Sequence, residues 1–415
     1  MKYITLIGDG MADHPIEALD GMTPLEYAKT PNADFLSSKG ETGLLKIIPD
    51  GIAPGTDTAF YGIMGYDVTT EFTGRSPLEA SGMGIDLPDG SVSFRCNLAA
   101  ISEEPYNEAV MVSHSGGQIP ANDGAELMRY LTSDAEFAAL LQELGINIYI
   151  GTGFRHIAAA QGAFADVLKA EQPPMPHPHD IPGQRIMPQL DALEGSGATL
   201  KRLMLKSYEI LSRHDINIKR RAAGLPPANC IWLWGQGTKP NLRSFEQKFG
   251  VKGAVVTAVP LVSGIGALAG LKDIEVPGVT GEIDTNYDGK ADAAIAALKS
   301  GFDYVLVHVE APDECAHNGD MKEKIEAIEL IDNMLGRMLE SMKQTGMDFR
   351  LLYMPDHETL VSTRAHAPGP VPFAIYDSRG GAGSGLPFSE AAAKKGVYIP
   401  EGKTIMSRLF GVSGE

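Results

Sequence analysis

At 415 residues the chain is too long for one ordinary hydrophobic core, and its 43% hydrophobic and 21% charged residues argue against a fibre or a disordered polymer, so a two-domain globular enzyme is expected. A formal net charge of -18 argues against nucleic acid or an anionic membrane as the main partner, because either needs a summed positive field. A small phosphorylated substrate stays admissible if a local cluster of Arg, Lys or metal ions overcomes the repulsion.

The first predicted element is a short buried strand, Tyr3 to Ile7, which ends in Gly8-Asp9-Gly10 and so delivers an acid at its carboxyl end. Open α/β sheets place ligands there. A second strand is predicted over Leu44 to Ile48, and Pro54-Gly55-Thr56-Asp57 opens a helix from Thr58 to Met64, with Thr56 at or near its N-terminus. From Pro88 the texture changes: a strand over Val92 to Ile101, helices around Gly124 to Leu131 and Ala135 to Leu144, and a strand over Asn147 to Gly151. A rigid Pro-rich stretch, Gln172 to Asp180, precedes a long amphipathic helix near Ala198 to Arg213, and the run from Arg220 to Pro227 reads as a linker.

Beyond it strands and helices alternate again: Cys230 to Trp234, Leu242 to Phe249, Gly253 to Ala258, Ala291 to Leu298, Tyr304 to Val309, Lys322 to Met342 and Phe349 to Met354. That order predicts an α/β fold with a mostly parallel sheet flanked by helices. The predicted architecture is a discontinuous core, 1–87 plus 228–415, with a smaller α/β domain, 88–227, inserted into it. Cys96, Cys230 and Cys315 are odd in number and form no CxxC, so neither a disulfide framework nor a thiolate metal site is expected, and a reducing cytoplasm fits. The apolar run at the N-terminus is too short for a signal peptide, and Ala254 to Leu271 is broken by Pro260, Ser263, Gly264, Gly266 and Gly270, so no membrane span is expected.

Four segments concentrate metal-ligand types where strands should end: Asp9, Thr56, Asp313 with His317, and Asp356-His357 with His366. Asp313 and His317 are four apart, so a helix there points both from one face. His366 is expected in a loop. Oxygen and imidazole ligands without thiolate suit Mn, Zn, Mg or Co. Two such ions about 4 Å apart would clamp the attacking and leaving oxygens of a phosphoryl transfer, and a hydroxyl beside them would become the nucleophile. Thr56 is the candidate. No GxGxxG or Walker pattern follows Gly8-Asp9-Gly10, so no nucleotide is expected.

These segments, together with Thr73-Gly74-Arg75-Ser76-Pro77-Leu78-Glu79-Ala80, Phe94-Arg95-Cys96-Asn97-Leu98, Trp234-Gly235-Gln236-Gly237 and His308-Val309-Glu310-Ala311-Pro312-Asp313, resemble the archaeal-type cofactor-independent phosphoglycerate mutases of the alkaline phosphatase superfamily over nearly the whole chain. The resemblance implies an alkaline-phosphatase-like core with one metal on Asp9, Thr56, Asp356 and His357, and another on Asp313, His317 and His366. It implies interconversion of 3-phosphoglycerate and 2-phosphoglycerate through a phosphothreonine, without 2,3-bisphosphoglycerate, and an insert that holds the substrate. Arg95, Arg155, His156 and Arg185 are the candidate anion binders there, since guanidinium matches carboxylate and phosphate. His114 and His179 are set aside.

Three positions depart from the family pattern. Thr56 stands where Ser is usual, Phe60 stands near an expected polar residue, and Ser263 falls where Lys or Arg is expected. They keep two alternatives open: a phosphohydrolase or phosphotransferase on another small phosphorylated alcohol, homoserine-kinase-like in one proposal, and an inactive binding protein on the same scaffold. The oligomeric state is left open.

Overall fold

The computed structural model describes residues 1–103 and 107–412, and the chain divides into two units, 1–72 with 241–415, and 73–240. The first unit is built on an eight-stranded sheet in the order Val397–Ile399, Glu41–Leu45, Val371–Asp377, Phe349–Met354, Lys2–Gly8, Tyr304–Val309, Gly253–Val256, Lys272–Asp273. Its middle strands are mostly apolar and buried, as expected where helices cover both faces of a parallel sheet. Lys2–Gly8 pairs in parallel with Tyr304–Val309 on one side and Phe349–Met354 on the other. Val371–Asp377 runs antiparallel to both of its neighbours, so the sheet is mixed but mostly parallel.

The long helix Met321–Thr345 shows how sequence pattern becomes packing. Asp320 caps it by accepting from the N–H groups of Lys322 and Glu323, and Gly346 ends it in the left-handed conformation. Ile328, Ile331, Leu335, Met338 and Met342 recur at helical spacing and are fully buried, each contributing roughly 1.5–3 kcal/mol. Two charged residues, Lys324 and Asp332, are buried with that stripe. Lys324 is completely buried and donates to Asp13 Oδ2 at 2.9 Å, Thr359 O at 2.6 Å and Ala12 O at 3.3 Å, which ties the segment after the first strand to the hairpin of the site. Truncating Lys324 would leave the Asp13 charge buried and uncompensated, at a cost of about 3–5 kcal/mol.

The second unit centres on Val92–Ile101, buried along its whole length, with Arg155–Ala160 and Cys230–Thr238 antiparallel on either side. Its boundaries differ from the expected 87/88 and 227/228. The helix Ser76–Gly82 packs on this sheet, with Ser76 Oγ 2.8 Å from Ser93 Oγ. At Gly74, where φ is +120°, an added Cβ would lie 2.1 Å from the Gln236 carbonyl, so only glycine admits this approach. Cys230–Thr238, expected in the larger domain, is a strand of the second unit because its partner is the distant Val92–Ile101. The expected linker at 220–227 begins inside the helix Asp215–Ala222. Among the described residues no helix is long and apolar enough to cross a membrane.

Candidate active site

The three adjacent parallel strands of the first unit bring the acids together through their register. Gly8 lies opposite Val309 and Ile7 opposite Met354; continued past the strand ends, that register puts Asp9 level with Glu310 on one side and Asp356 on the other, at one edge of the sheet. The helix Ala311–Asn318 starts directly after Glu310 and presents Asp313 and His317 from one face, as the four-residue spacing predicts. Thr56 is the first residue of the helix Thr56–Ile63, preceded by Gly55. His366 stands in a short strand, Ala365–Ala367, paired opposite Thr359 on Glu358–Leu360; the expected loop is a two-stranded ribbon. Gly10 has φ +59°, and a Cβ there would lie 2.6 Å from both Asp313 Oδ1 and Thr359 Oγ1, so the turn after Asp9 requires glycine.

Four of the candidate residues meet at one imidazole nitrogen. His357 Nε2 is 3.3 Å from Asp356 Oδ2 and 3.4 Å from Asp9 Oδ1, and 3.5 Å from Thr56 Oγ1. The opposite ring nitrogen fixes the tautomer. Thr359 Oγ1 donates its proton to Asp313 Oδ1 at 2.5 Å, so at 3.1 Å from His357 Nδ1 it accepts, and the ring proton sits on Nδ1. The Nε2 lone pair of His357 is therefore directed at the oxygens of Asp9, Asp356 and Thr56.

Asp313, His317 and His366 form the neighbouring group. His317 Nε2 is 3.1 Å from Asp313 Oδ2, His366 Nε2 is 3.5 Å from Asp313 Oδ1, and the two Nε2 atoms are 3.0 Å apart. Each ring's Nδ1 faces a backbone carbonyl, Arg364 O at 3.0 Å and Pro54 O at 3.2 Å, which only accepts. Both rings thus carry a proton on Nδ1 and point Nε2 at a common place beside the Asp313 carboxylate.

This geometry suits cations. Asp9 Oδ1, Asp356 Oδ2 and Glu310 Oε2 are buried and accept no hydrogen bond, a costly state for carboxylate oxygens unless a ligand satisfies them. Burial, and then the charges of Asp356, Glu310 and Asp313, push the Asp9 carboxyl well above its usual range. Burial and Asp313 push Glu310 up to about 8. Asp313 goes the other way: burial opposes its charge, but hydrogen bonds from His317 and His366 hold it well below the usual range. Its bond raises His317 to about 9. Several acids crowded so closely repel one another, and bound positive charge would relieve that repulsion.

His308 and Glu310 also belong to this site, and sequence reasoning did not single them out. His308 is fully buried, with Nε2 2.8 Å from Asp9 Oδ2 and 3.4 Å from Glu310 Oε2. The signal available in the sequence was the alternation His308-Val309-Glu310 at a strand end, which puts both side chains on one face. Phe60 packs its ring edge-on to His308 with centroids 5.3 Å apart, so the departure at that position builds an apolar wall. Ser263 brings no charge and donates its hydroxyl to Asp273.

In the second unit, Arg155, Phe154, His114, His179, Trp234 and Arg95 form a continuous series of ring and guanidinium contacts. The Arg155 guanidinium lies 4.3 Å from the Phe154 ring and that of Arg95 4.2 Å from the Trp234 ring. His114 is 5.9 Å from Phe154 and 6.4 Å from His179, which is 5.0 Å from Trp234. Burial, then the charges of Arg95 and Arg155, lowers His114. His114 and His179, set aside from sequence alone, therefore stand with two of the candidate arginines. The other two candidates stand apart from this series. His156 is buried, accepts from Gly151 N–H at 3.0 Å through Nδ1, and is lowered to about 4 by burial. Arg185 is exposed and pairs with Glu108.

The family model described as 2,3-bisphosphoglycerate-independent phosphoglycerate mutase matches residues 37–217. Proteins of that name from Methanothrix thermoacetophila and Methanosarcina barkeri are each 42% identical to this chain, covering 99% of it and 100% and 99% of their own lengths. A solved protein from Pyrococcus horikoshii superimposes with a TM-score of 0.79 at 28% identity, covering 100% of this chain and 98% of that one. The cofactor-independent phosphoglycerate mutase from Thermoplasma acidophilum shares the fold with a TM-score of 0.64 at 24% identity, covering 99% of each chain.

Proposed function

The chain belongs to the family of 2,3-bisphosphoglycerate-independent phosphoglycerate mutases and is an isomerase, and from that membership we propose that it interconverts 3-phosphoglycerate and 2-phosphoglycerate through a phosphothreonine at Thr56. The observation that carries the residue assignment is the meeting of Asp9, Asp356 and Thr56 at His357 Nε2, beside carboxylate oxygens that accept no hydrogen bond. Asp9, Thr56, Asp356 and His357 would hold one divalent cation and Asp313, His317 and His366 a second, Mn or Zn first and Mg or Co next by ligand type. When bound, such cations lower the pKa of a neighbouring hydroxyl and offset the charge of the phosphoryl oxygens.

Thr56 Oγ1 loses its proton and bonds to phosphorus as the bond from phosphorus to one glycerate oxygen breaks. That oxygen takes up a proton. Reversal onto the neighbouring glycerate oxygen frees the threonine hydroxyl again, so no phosphate is released. A mutase must keep its alcohol between the two transfers, and Arg95 and Arg155, with His114 and His179 beside them, are the groups assigned to the glycerate carboxylate. His156 and Arg185, the other two candidates for that role, stand outside this series.

Ser263, which supplies a hydroxyl where a cation is expected, favours as second reading hydrolysis or transfer on another small phosphorylated alcohol. Incubation with 3-phosphoglycerate and Mn separates the two when both products are scored. The mutase reading expects 2-phosphoglycerate with no accumulating free phosphate; phosphate release without the isomer would remove it.

A further inference from the structure

His308 lies within reach of the metal-ligand carboxylate Asp9, and its position alone would make it a fourth imidazole ligand alongside Asp9 and Glu310. Its hydrogen bonds argue otherwise. Val259 N–H donates to Thr257 Oγ1 at 3.0 Å, and Thr257 Oγ1 lies 2.9 Å from His308 Nδ1. A backbone N–H only donates, so the Thr257 oxygen accepts there; it keeps its proton and one further lone pair, and can donate to the ring nitrogen when the imidazole proton sits on Nε2. On the far side of the ring, Nε2 faces Asp9 Oδ2 at 2.8 Å and Glu310 Oε2 at 3.4 Å. A bare lone pair between two carboxylates would be repelled by both, whereas an N–H satisfies the nearer one.

We infer that His308 is a positioning residue: Thr257 fixes it as the Nε2–H tautomer, and Nε2–H holds the Asp9 carboxylate by its Oδ2 so that Oδ1 is presented to the metal site. The inference rests on the assignment of Asp9 as a metal ligand. The contrast with the other three histidines carries it. His317, His357 and His366 have Nδ1 committed as a donor, to a carbonyl or to Thr359 Oγ1, which leaves Nε2 as their ligating nitrogen, whereas at His308 Nδ1 faces a hydroxyl that can donate and Nε2 faces the Asp9 carboxylate. Its surroundings keep it there. The edge-on Phe60 ring blocks one side, and Lys290 Nζ donates to the His308 carbonyl at 2.7 Å, fixing the strand end from which the ring projects. Asp9 thereby has one oxygen occupied by a protein donor and one left open.

The test is a long-range proton–nitrogen correlation spectrum of the Zn-loaded chain labelled with nitrogen-15 histidine, with His308 identified by the signals lost in His308→Gln. The expected result is a protonated Nε2 and a bare Nδ1 for His308; a proton on Nδ1, alone or together with Nε2, overturns the proposal. Thr257→Val, which removes the hydroxyl and keeps the shape, is expected to weaken Zn binding by about tenfold or more, the scale on which partners of metal ligands act. Thr257→Ser should restore binding to within roughly twofold of the parent, an effect that simple loss of packing does not produce. Unchanged binding in Thr257→Val, or no rescue by serine, removes the positioning role while leaving the metal assignment standing. A parent chain that binds no divalent cation removes the assignment of Asp9 itself, and the positioning role with it.

Discussion

The two units organise charge in opposite ways. At the sheet edge of the first, Asp9, Asp313, Asp356 and Glu310 crowd around imidazoles, and three buried carboxylate oxygens accept no hydrogen bond. In the second, Arg95 and Arg155 lie against aromatic faces with His114 and His179 in the same series. A phosphorylated acid is repelled by the first arrangement unless cations fill it, whereas the second offers guanidinium groups, of which Arg95 is itself paired with Glu79 at 2.8 Å. A chain carrying a net charge of -18 can thus handle an anion, provided positive charge is concentrated locally in both units.

The sharpest way to break this division of labour is to remove the hydroxyl of the acidic site. Thr56→Ala is expected to lower isomerisation by roughly 10⁴-fold or more, the scale of losing a nucleophile, while the thermal transition stays within about two degrees because a half-buried side chain loses only a methyl and a hydroxyl. A coupled assay of 2-phosphoglycerate formation reads the first and calorimetry the second. Asp313→Asn comes next. It should weaken divalent-cation binding by about a hundredfold or more, above the range for residues that merely support a ligand, as measured by elemental analysis after dialysis, and should leave tryptophan fluorescence unchanged because both Trp residues, Trp232 and Trp234, lie in the other unit.

The same fluorescence sharpens the comparison from the second unit. His156 is lowered by burial from 6.5 to about 4, so between those values the unfolded chain binds the proton and the folded one does not. Stability contributed by the neutral ring is present above pH 6.5 and is lost as pH falls toward 4, by about 3 kcal/mol in all. Urea midpoints followed by tryptophan emission should fall across that window, and His156→Gln should flatten the fall. The smallest effect is expected for Arg155→Met. Removing one charge-assisted contact costs about 1.5–2 kcal/mol, or about 10- to 30-fold in kcat/KM, with metal content unaltered.

The two regions also differ in how far they could be read in advance. Asp9, Thr56, Asp313, His317, Asp356, His357 and His366 were all visible as ligand types at strand ends or at helical spacing, because strand and helix periodicity are local properties. His308 was hidden in a run that reads simply as strand. The basic series was less legible: His114 and His179 lie far from Trp234 in the chain, and only the antiparallel pairing of Val92–Ile101 with Cys230–Thr238 brings Arg95 beside Trp234. The boundary at 240/241 escaped for the same reason, since a strand's membership of a sheet is decided by a distant partner.

By itself the sequence determined the chemistry on offer: oxygen and imidazole ligands without thiolate, a threonine opening a helix, and an α/β alternation that delivers acids at strand ends. Tertiary structure alone decided which oxygens are left without donors and which ring nitrogen of each histidine carries its proton. Those choices depend on parallel register and on carbonyls and hydroxyls tens to hundreds of residues away, such as Pro54 for His366 and Thr257 for His308. Spacing along a chain encodes local direction, whereas a hydrogen bond depends on atoms that only folding brings together.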